Sequence, residues 1–248
     1  MTLKRVGNGP ILTSRDIPAM VPDIVDPSSV FNPGAVMSRG CTVLLLRVQT
    51  RGRRTFTVPA ASDDGLTFEV ADQPVVFDWQ GQEPGEEIFH IYDARITQLE
   101  DTFYVVTAVD FEAGCRLAVW TAAGKPAAGF CGLERLSFRG WTSYQDTRNG
   151  VLFPEKIGGR FHLLERPNTA AASGGPATGN QIVLTVSTDL KNWDRAGPVM
   201  SGHFHFWDEF IGSGPPPVKT RSGWLHLYHG IATHFAASNV YQAGCVLL

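Results

Sequence analysis

The sequence predicts an all-β fold, a β-propeller. Three observations predict it. Short β-branched and aromatic runs bounded by turns dominate, and no segment sustains helical i, i+3, i+4 periodicity. Four of these runs resemble one another and recur at a spacing of roughly sixty residues, a blade-like repeat. The 26 glycines and 16 prolines are scattered along 248 residues, as in an all-β chain with many turns.

The repeating runs are Thr42 to Val48, Thr102 to Thr107, Arg160 to Glu165 and Gly223 to Tyr228. Each is followed by a second strand: Phe56 to Ala61, Arg116 to Thr121, Gln181 to Ser187 and Asn239 to Leu248. Two of these followers lead into similar turns, Ser62-Asp63-Asp64-Gly65 and Ser187-Thr188-Asp189-Leu190. An Asp there bonds its own backbone, and the aromatic after it packs on the next strand. A period near sixty is long for a blade, so loops should gather at one end of the central channel. The alternative, a pair of β-sandwiches, requires no regular period. Residues 1–248 read as a single domain. The last run, Tyr241 to Leu248, falls at the third-strand position of the fourth repeat. The expectation is a ring that closes unusually or a chain shorter than its fold.

Composition narrows the function. A formal charge of -3 gives no electrostatic reason to expect nucleic acid or an anionic membrane. Met1 to Pro10 has no apolar core of a signal peptide, and no apolar run reaches a membrane span. The expected location is cytoplasmic. Cys41, Cys115, Cys131 and Cys245 have no CxxC spacing and read as buried free thiols. The stretch Asn168 to Asn180 reads as a surface loop. Gly212 to Pro217 lacks the Lys-Ser/Thr of a phosphate loop, and its three prolines read as a rigid strand entry.

Polar clusters sit at the starts and ends of the repeats. They are Phe31-Asn32-Pro33-Gly34-Ala35 with Arg47, Asp93 with Arg95, Arg148 to Arg166, and Trp207 to Gly212 with Tyr228 and His229. Around one axis such points converge, and a sugar needs many hydrogen-bond partners over an aromatic floor. His203 and His205 lack partners at metal-ligand spacing, so no metal or other cofactor is expected. No Gly-x-Ser-x-Gly elbow is present. Asp93, Glu165 and Glu209 come from three repeats, and a pair of carboxyl groups cleaves glycosidic bonds. Singly, Asp93 with Arg95 and Glu165 with Arg166 also read as ordinary ion pairs.

The order of motifs adds a resemblance. Asn8-Gly9-Pro10-Ile11-Leu12-Thr13, Phe31-Asn32-Pro33-Gly34-Ala35, Asp93-Ala94-Arg95-Ile96-Thr97, Val151-Leu152-Phe153-Pro154-Glu155-Lys156 and Gly223-Trp224-Leu225 with Tyr228-His229-Gly230 resemble glycoside hydrolase family 130. That family comprises β-mannoside phosphorylases and β-mannosidases on five-bladed propellers. The resemblance implies a five-blade ring lacking its last blade here, and a mannose-containing oligosaccharide as substrate. It implies Asp93 as general acid, acting through a mannose hydroxyl, with Asn32 and Arg47 holding the mannose. Arg95, Arg148, Tyr228 and His229 complete the expected binding set. Tyr92 and Ala94 depart from the family's Glu-Asp-Pro-Arg motif.

Family phosphorylases place a Lys before Phe-Pro-Glu and a His before Arg-Pro; Arg148 and Glu165 stand there. A carboxylate beside phosphate costs about 4 kcal/mol at 4 Å and an effective dielectric of 20. Hydrolysis with inversion, with Glu165 or Glu209 as base, is therefore the expected reaction. Phosphorolysis with inorganic phosphate as co-substrate is the alternative, and an inactive carbohydrate-binding propeller is a third. Assembly as a homo-oligomer is left open.

Overall fold

The computed structural model describes residues 6–122, 129–142, 144–168, 179–232 and 238–248. Arg5, His234 and positions 169–178 of the loop noted above lie outside the described residues. The fold is an all-β propeller of four sheets, with no α-helix among the described residues.

The first blade is β1 (Pro27–Ser38), β2 (Cys41–Thr50), β3 (Thr55–Ser62) and β4 (Glu69–Val70). A short strand, β5 (Val76–Asp78), leads to the second blade: β6 (His90–Leu99), β7 (Thr102–Phe111), β8 (Gly114–Ala122) and β9 (Arg135–Trp141). β5 pairs in parallel with the outer edge of β9, which fastens the connection between the two blades. The third blade is β10 (Thr147–Leu152), β11 (Phe161–Pro167), β12 (Gln181–Ser187) and β13 (Asp194–Ser201). The fourth holds β14 (Phe210–Ser213), β15 (Val218–Thr220), β16 (Gly223–Ala232) and β17 (Val240–Leu247). Here β14 and β15 share one edge of β16, and β17 takes the other. β1, β6, β10 and β14 form the inner ring, each touching the next. The four repeating runs are the second strands of the blades, β2, β7, β11 and β16, and their followers are β3, β8, β12 and β17.

The second and third strands of the first three blades are apolar on both faces because those blades are packed from both sides, whereas β17 of the fourth is largely exposed. Val43 and Leu45 face the second blade with Ala94, Ile96, Trp120 and Phe138. Leu44, Leu46 and Val48 face the other way, onto Ile17, Met20 and Ile24 of the N-terminal segment. That segment turns through a short 3-10 helix, Ser14–Asp16, capped by a reciprocal Thr13–Asp16 box. Fully buried Trp120 keeps its indole satisfied by donating to Thr107 Oγ1 at 2.8 Å. Leu117, Leu152 and Leu163 fill the space between the second and third blades, and Val151, Leu164 and Ile211 that between the third and fourth.

Both Asp-centred turns form. Asp64 Oδ1 accepts from the Leu66 and Thr67 amides at 2.8 and 2.7 Å, and Asp189 Oδ1 from those of Lys191 and Asn192 at 2.9 and 2.8 Å. The amide bonds hold the Asp64 carboxyl down at about 2. Val151, Leu152 and Phe153 of the Val151 to Lys156 motif are buried core, while Glu155 pairs with Lys219 at 2.6 Å. The cysteines are all free; Cys115 and Cys131 are buried, Cys41 is half-buried, and Cys245 is exposed on β17, against the expectation that all four are interior.

β1 and β6 approach so closely at Gly34 that a Cβ there would strike the Ala94 carbonyl. Gly34→Ala should therefore lose about 2 kcal/mol, since neither backbone can withdraw freely. Denaturant unfolding reads this directly; a variant as stable as the parent would refute the close approach.

Candidate active site

Three inner strands carry the same irregularity. In β1 the register slips between Phe31↔Arg47 and Gly34↔Leu45, so Asn32 and Pro33 oppose a single residue. In β6 it slips between Tyr92↔Ala108 and Arg95↔Val106, with Asp93 and Ala94 as the extra pair. In β10 it slips between Arg148↔Arg166 and Val151↔Leu164, with Asn149 and Gly150. Each is a β-bulge, which bends the strand and re-aims a side chain. The first bulged residue is left-handed every time: Asn32 at φ 45°, Asp93 at 53° and Asn149 at 55°. Asn and Asp adopt this region far more readily than other side chains.

The bulges aim these residues into one cavity of about 890 Å³, with walls from all four blades. That volume suits a small-molecule ligand. Asp93 lies in its wall. Its Oδ1 accepts from Arg47 Nη1 at 2.9 Å, and Asn32 Nδ2 reaches its two oxygens at 3.3 and 3.4 Å. The Arg47 guanidinium is sandwiched between the rings of Phe31 and Tyr92, at 4.6 and 4.2 Å. Arg95, by contrast, donates to backbone carbonyls: Gly214 at 3.0 Å, Ala94 at 3.2 Å and Asn32 at 3.4 Å. The ion pair of Asp93 is thus with Arg47 across the blade gap. The expected Asp93–Arg95 strand-end pair is corrected, because the bulge turns the two side chains to different partners.

Another part of the cavity wall is rich in cations. Arg148 lies 3.5 Å from Asp110, which also accepts from the Tyr92 hydroxyl at 2.9 Å. Arg166 is buried, and its guanidinium donates to Asn168 Oδ1 at 3.1 Å. Its Nε makes no hydrogen bond among the described residues. Burial, with Arg148 alongside, pulls the Arg166 pKa down to about 10, so it stays charged at neutral pH. His229 is pulled down to about 4 by burial and by Arg166 and Arg95, so it is a neutral hydrogen-bonding group at pH 7. Gly212 of β14 gives it room: a Cβ there would lie 2.6 Å from both Asn149 Oδ1 and His229 Nε2. Four guanidiniums, on Arg47, Arg95, Arg148 and Arg166, face two carboxylates, on Asp93 and Asp110. The wall carries an excess of positive charge and suits an anion together with a polar neutral ligand.

Of the expected site residues, Asn32, Arg47, Asp93, Arg95, Arg148 and His229 line the cavity. Glu165, Glu209 and Tyr228 do not. Side chains alternate along β11, so Arg166 faces the cavity and Glu165 faces the interior. There Glu165 accepts from Thr142 at 2.9 Å and Thr185 at 3.1 Å, and does not pair with Arg166. Tyr228 stands on the other face of β16 from His229, stacked on Trp207 with its hydroxyl on Asp208 at 3.2 Å. Glu209 is half-buried in the turn before β14. Phe31, Asn149 and Arg166, which stand in the polar clusters without an assigned role, also line the cavity, as do Asp110 and Tyr241, which the sequence did not single out as site residues. The alternation along β11 was a usable signal for Arg166; Asp110 and Tyr241 had none.

A propeller with a polar cavity at its inner ring is a small-molecule-binding architecture. The solved β-1,2-mannobiose phosphorylase of Listeria innocua, in complex with β-1,2-mannobiose, superposes with a TM-score of 0.76 at 24% identity. The match covers 96% of this chain and 76% of that one. The family model described as beta-1,4-mannooligosaccharide phosphorylase matches residues 10–248. The chain belongs to glycoside hydrolase family 130. A β-1,4-mannooligosaccharide phosphorylase of Ruminococcus albus is 31% identical over 82% of this chain, which spans 59% of that protein. A 1,2-β-oligomannan phosphorylase of a Thermoanaerobacter species is 26% identical over 99% of this chain and 76% of its own length.

Burial raises the Glu165 carboxyl from 4.5 to about 7. Between these values the folded chain holds a proton that the unfolded chain releases. The stability it contributes is fully present below pH 4.5 and is lost as pH rises through 7. Glu165→Gln should therefore be more stable than the parent at pH 8, by on the order of 3 kcal/mol. The gap should close toward pH 4.5. Thermal unfolding across pH tests this, and a pH-independent difference would overturn it.

Proposed function

We propose that the protein is an inverting, phosphate-dependent β-mannoside phosphorylase. One observation carries the reading: Arg166, a buried guanidinium with no carboxylate partner among the described residues, stands beside Arg148 in the cavity wall. A buried cation without a counter-charge is costly, and a bound phosphate offsets that cost with charge-assisted, bidentate hydrogen bonds. Hydrolysis would call for Glu165 or Glu209 as base, and neither side chain lines the cavity. Phosphorolysis needs no protein base, because the phosphate oxygen is itself the nucleophile. The names of the curated relatives support the same reaction.

In this reading the mannose sits against Asn32, Arg47 and Asp93, with phosphate on Arg148 and Arg166 across it. A phosphate oxygen bonds to C1 as the bond from C1 to the glycosidic oxygen breaks. A proton originating on Asp93 reaches that oxygen, through a mannose hydroxyl as the family resemblance implies. The products are α-mannose 1-phosphate and the shortened sugar. Arg95 holds the strand of the acid. The five-blade count also belongs to this reading; the described residues supply four of the blades.

Turnover of β-mannooligosaccharides should require inorganic phosphate and release mannose 1-phosphate. Free mannose released without phosphate would sink the proposal. Asp93→Asn should lower kcat by about 10²–10⁴-fold. Arg166→Met should raise KM for phosphate about tenfold or more, with KM for the mannoside much less affected. Equal rises in both would refute the phosphate assignment.

A further inference from the structure

Tyr92 stands where the family motif carries Glu, and it touches both halves of the site. We propose that Tyr92 is a positioning residue: its ring seats Arg47 against the proton donor, and its hydroxyl steadies Asp110 so that Arg148 stays available to phosphate. The inference rests on the phosphorylase reading and deepens it.

Two separate sets of contacts carry it. The first is the stack. Arg47 is 4.2 Å from the Tyr92 ring and 4.6 Å from that of Phe31, and a guanidinium between two rings has its plane set by them. Its Nη1 meets Asp93 at 2.9 Å, while its Nε makes no hydrogen bond among the described residues. The rings, with that one ion pair, fix where the guanidinium lies.

The second is the hydroxyl. Tyr92 donates to Asp110 Oδ1 at 2.9 Å, and the same oxygen lies 3.5 Å from Arg148 Nη2. The shorter bond is to the neutral donor and the longer contact to the cation. Asp110 is therefore partly satisfied without closing on Arg148. Burial keeps the Tyr92 proton in place far above working pH, so the hydroxyl remains a donor. The Cys115 thiol, 3.9 Å from that hydroxyl, is pushed up to about 12 and adds no charge. A Glu at this position would bring a second carboxylate to Asp110 and, once ionised, could not donate.

Two variants of the full chain separate the two roles. Tyr92→Phe keeps the ring and deletes the hydroxyl. Freed Asp110 should then close on Arg148 and raise KM for inorganic phosphate about tenfold, with KM for the mannoside and kcat near the parent's. Tyr92→Leu also removes the ring and should, in addition, lower kcat about tenfold. Unchanged phosphate KM in Tyr92→Phe overturns the proposal. So does a parallel rise in both KM values, which general loosening would produce. If Tyr92→Leu fails to fold, Tyr92→Phe alone decides. A wild type that neither needs nor binds inorganic phosphate by calorimetry sinks the phosphorylase reading, and this inference with it. A phosphate-dependent wild type with an unaltered Tyr92→Phe sinks the Tyr92 role alone.

Discussion

The site depends on one backbone device, the bulge repeated on three inner strands. A regular strand would send successive side chains to opposite faces, into the inter-blade cores. Inserting one residue at Asn32, Asp93 and Asn149 breaks that alternation at the axis and turns a polar side chain inward. The geometry demands residues that accept positive φ, and the chain supplies Asn, Asp and Asn. Gly34 follows the first bulge and Gly150 is the second residue of the third, where backbone or side chains of the neighbouring blade press in. Asp93 and its partner Asn32 thus come from one structural solution used twice, with Asn149 the third instance.

Around that frame the chain places its charges so that each is held by something other than its obvious neighbour. Asp93 is one residue from Ala94 and two from Arg95, yet pairs with Arg47 of another blade. Glu165 precedes Arg166 in sequence, yet is satisfied by two threonine hydroxyls in the interior. The outcome is an anionic group and its aromatic-clamped guanidinium in one part of the wall, and two basic groups in another. The chemistry of the cavity is set across blades, over sequence distances of about a blade or more.

Much of the fold was legible because it is repetitive. The run Val43-Leu44-Leu45-Leu46 and its counterparts on β7 and β11 mark strands buried on both faces, that on β16 a half-buried strand, and the Asp64 and Asp189 turns obey local chemistry. The site was legible only in part. Asn32, Arg47, Asp93, Arg95, Arg148 and His229 do meet in one cavity. Glu165 was preferred to Arg166, and Tyr228 joined to His229, because facing flips with every residue and a motif does not say which face is inward. Bulges make this worse, since each resets the alternation beyond it. Asp110 and Tyr241 carry no local signal, and only the curvature of the ring brings them to the wall.

Arg95 has a further consequence. Its guanidinium joins carbonyl oxygens of the first, second and fourth blades, so neutral dipoles hold it, and among the described residues no carboxylate forms an ion pair with it. Location and charge are thereby decoupled. The group behaves as a mechanical hoop for the inner strands while its electrostatic field still reaches the cavity. Such a residue resists both usual simplifications: Lys would keep the field and lose the hoop, and an uncharged donor of the same shape would keep the hoop and lose the field. One side chain thereby serves both the cohesion of the ring and the field in the cavity.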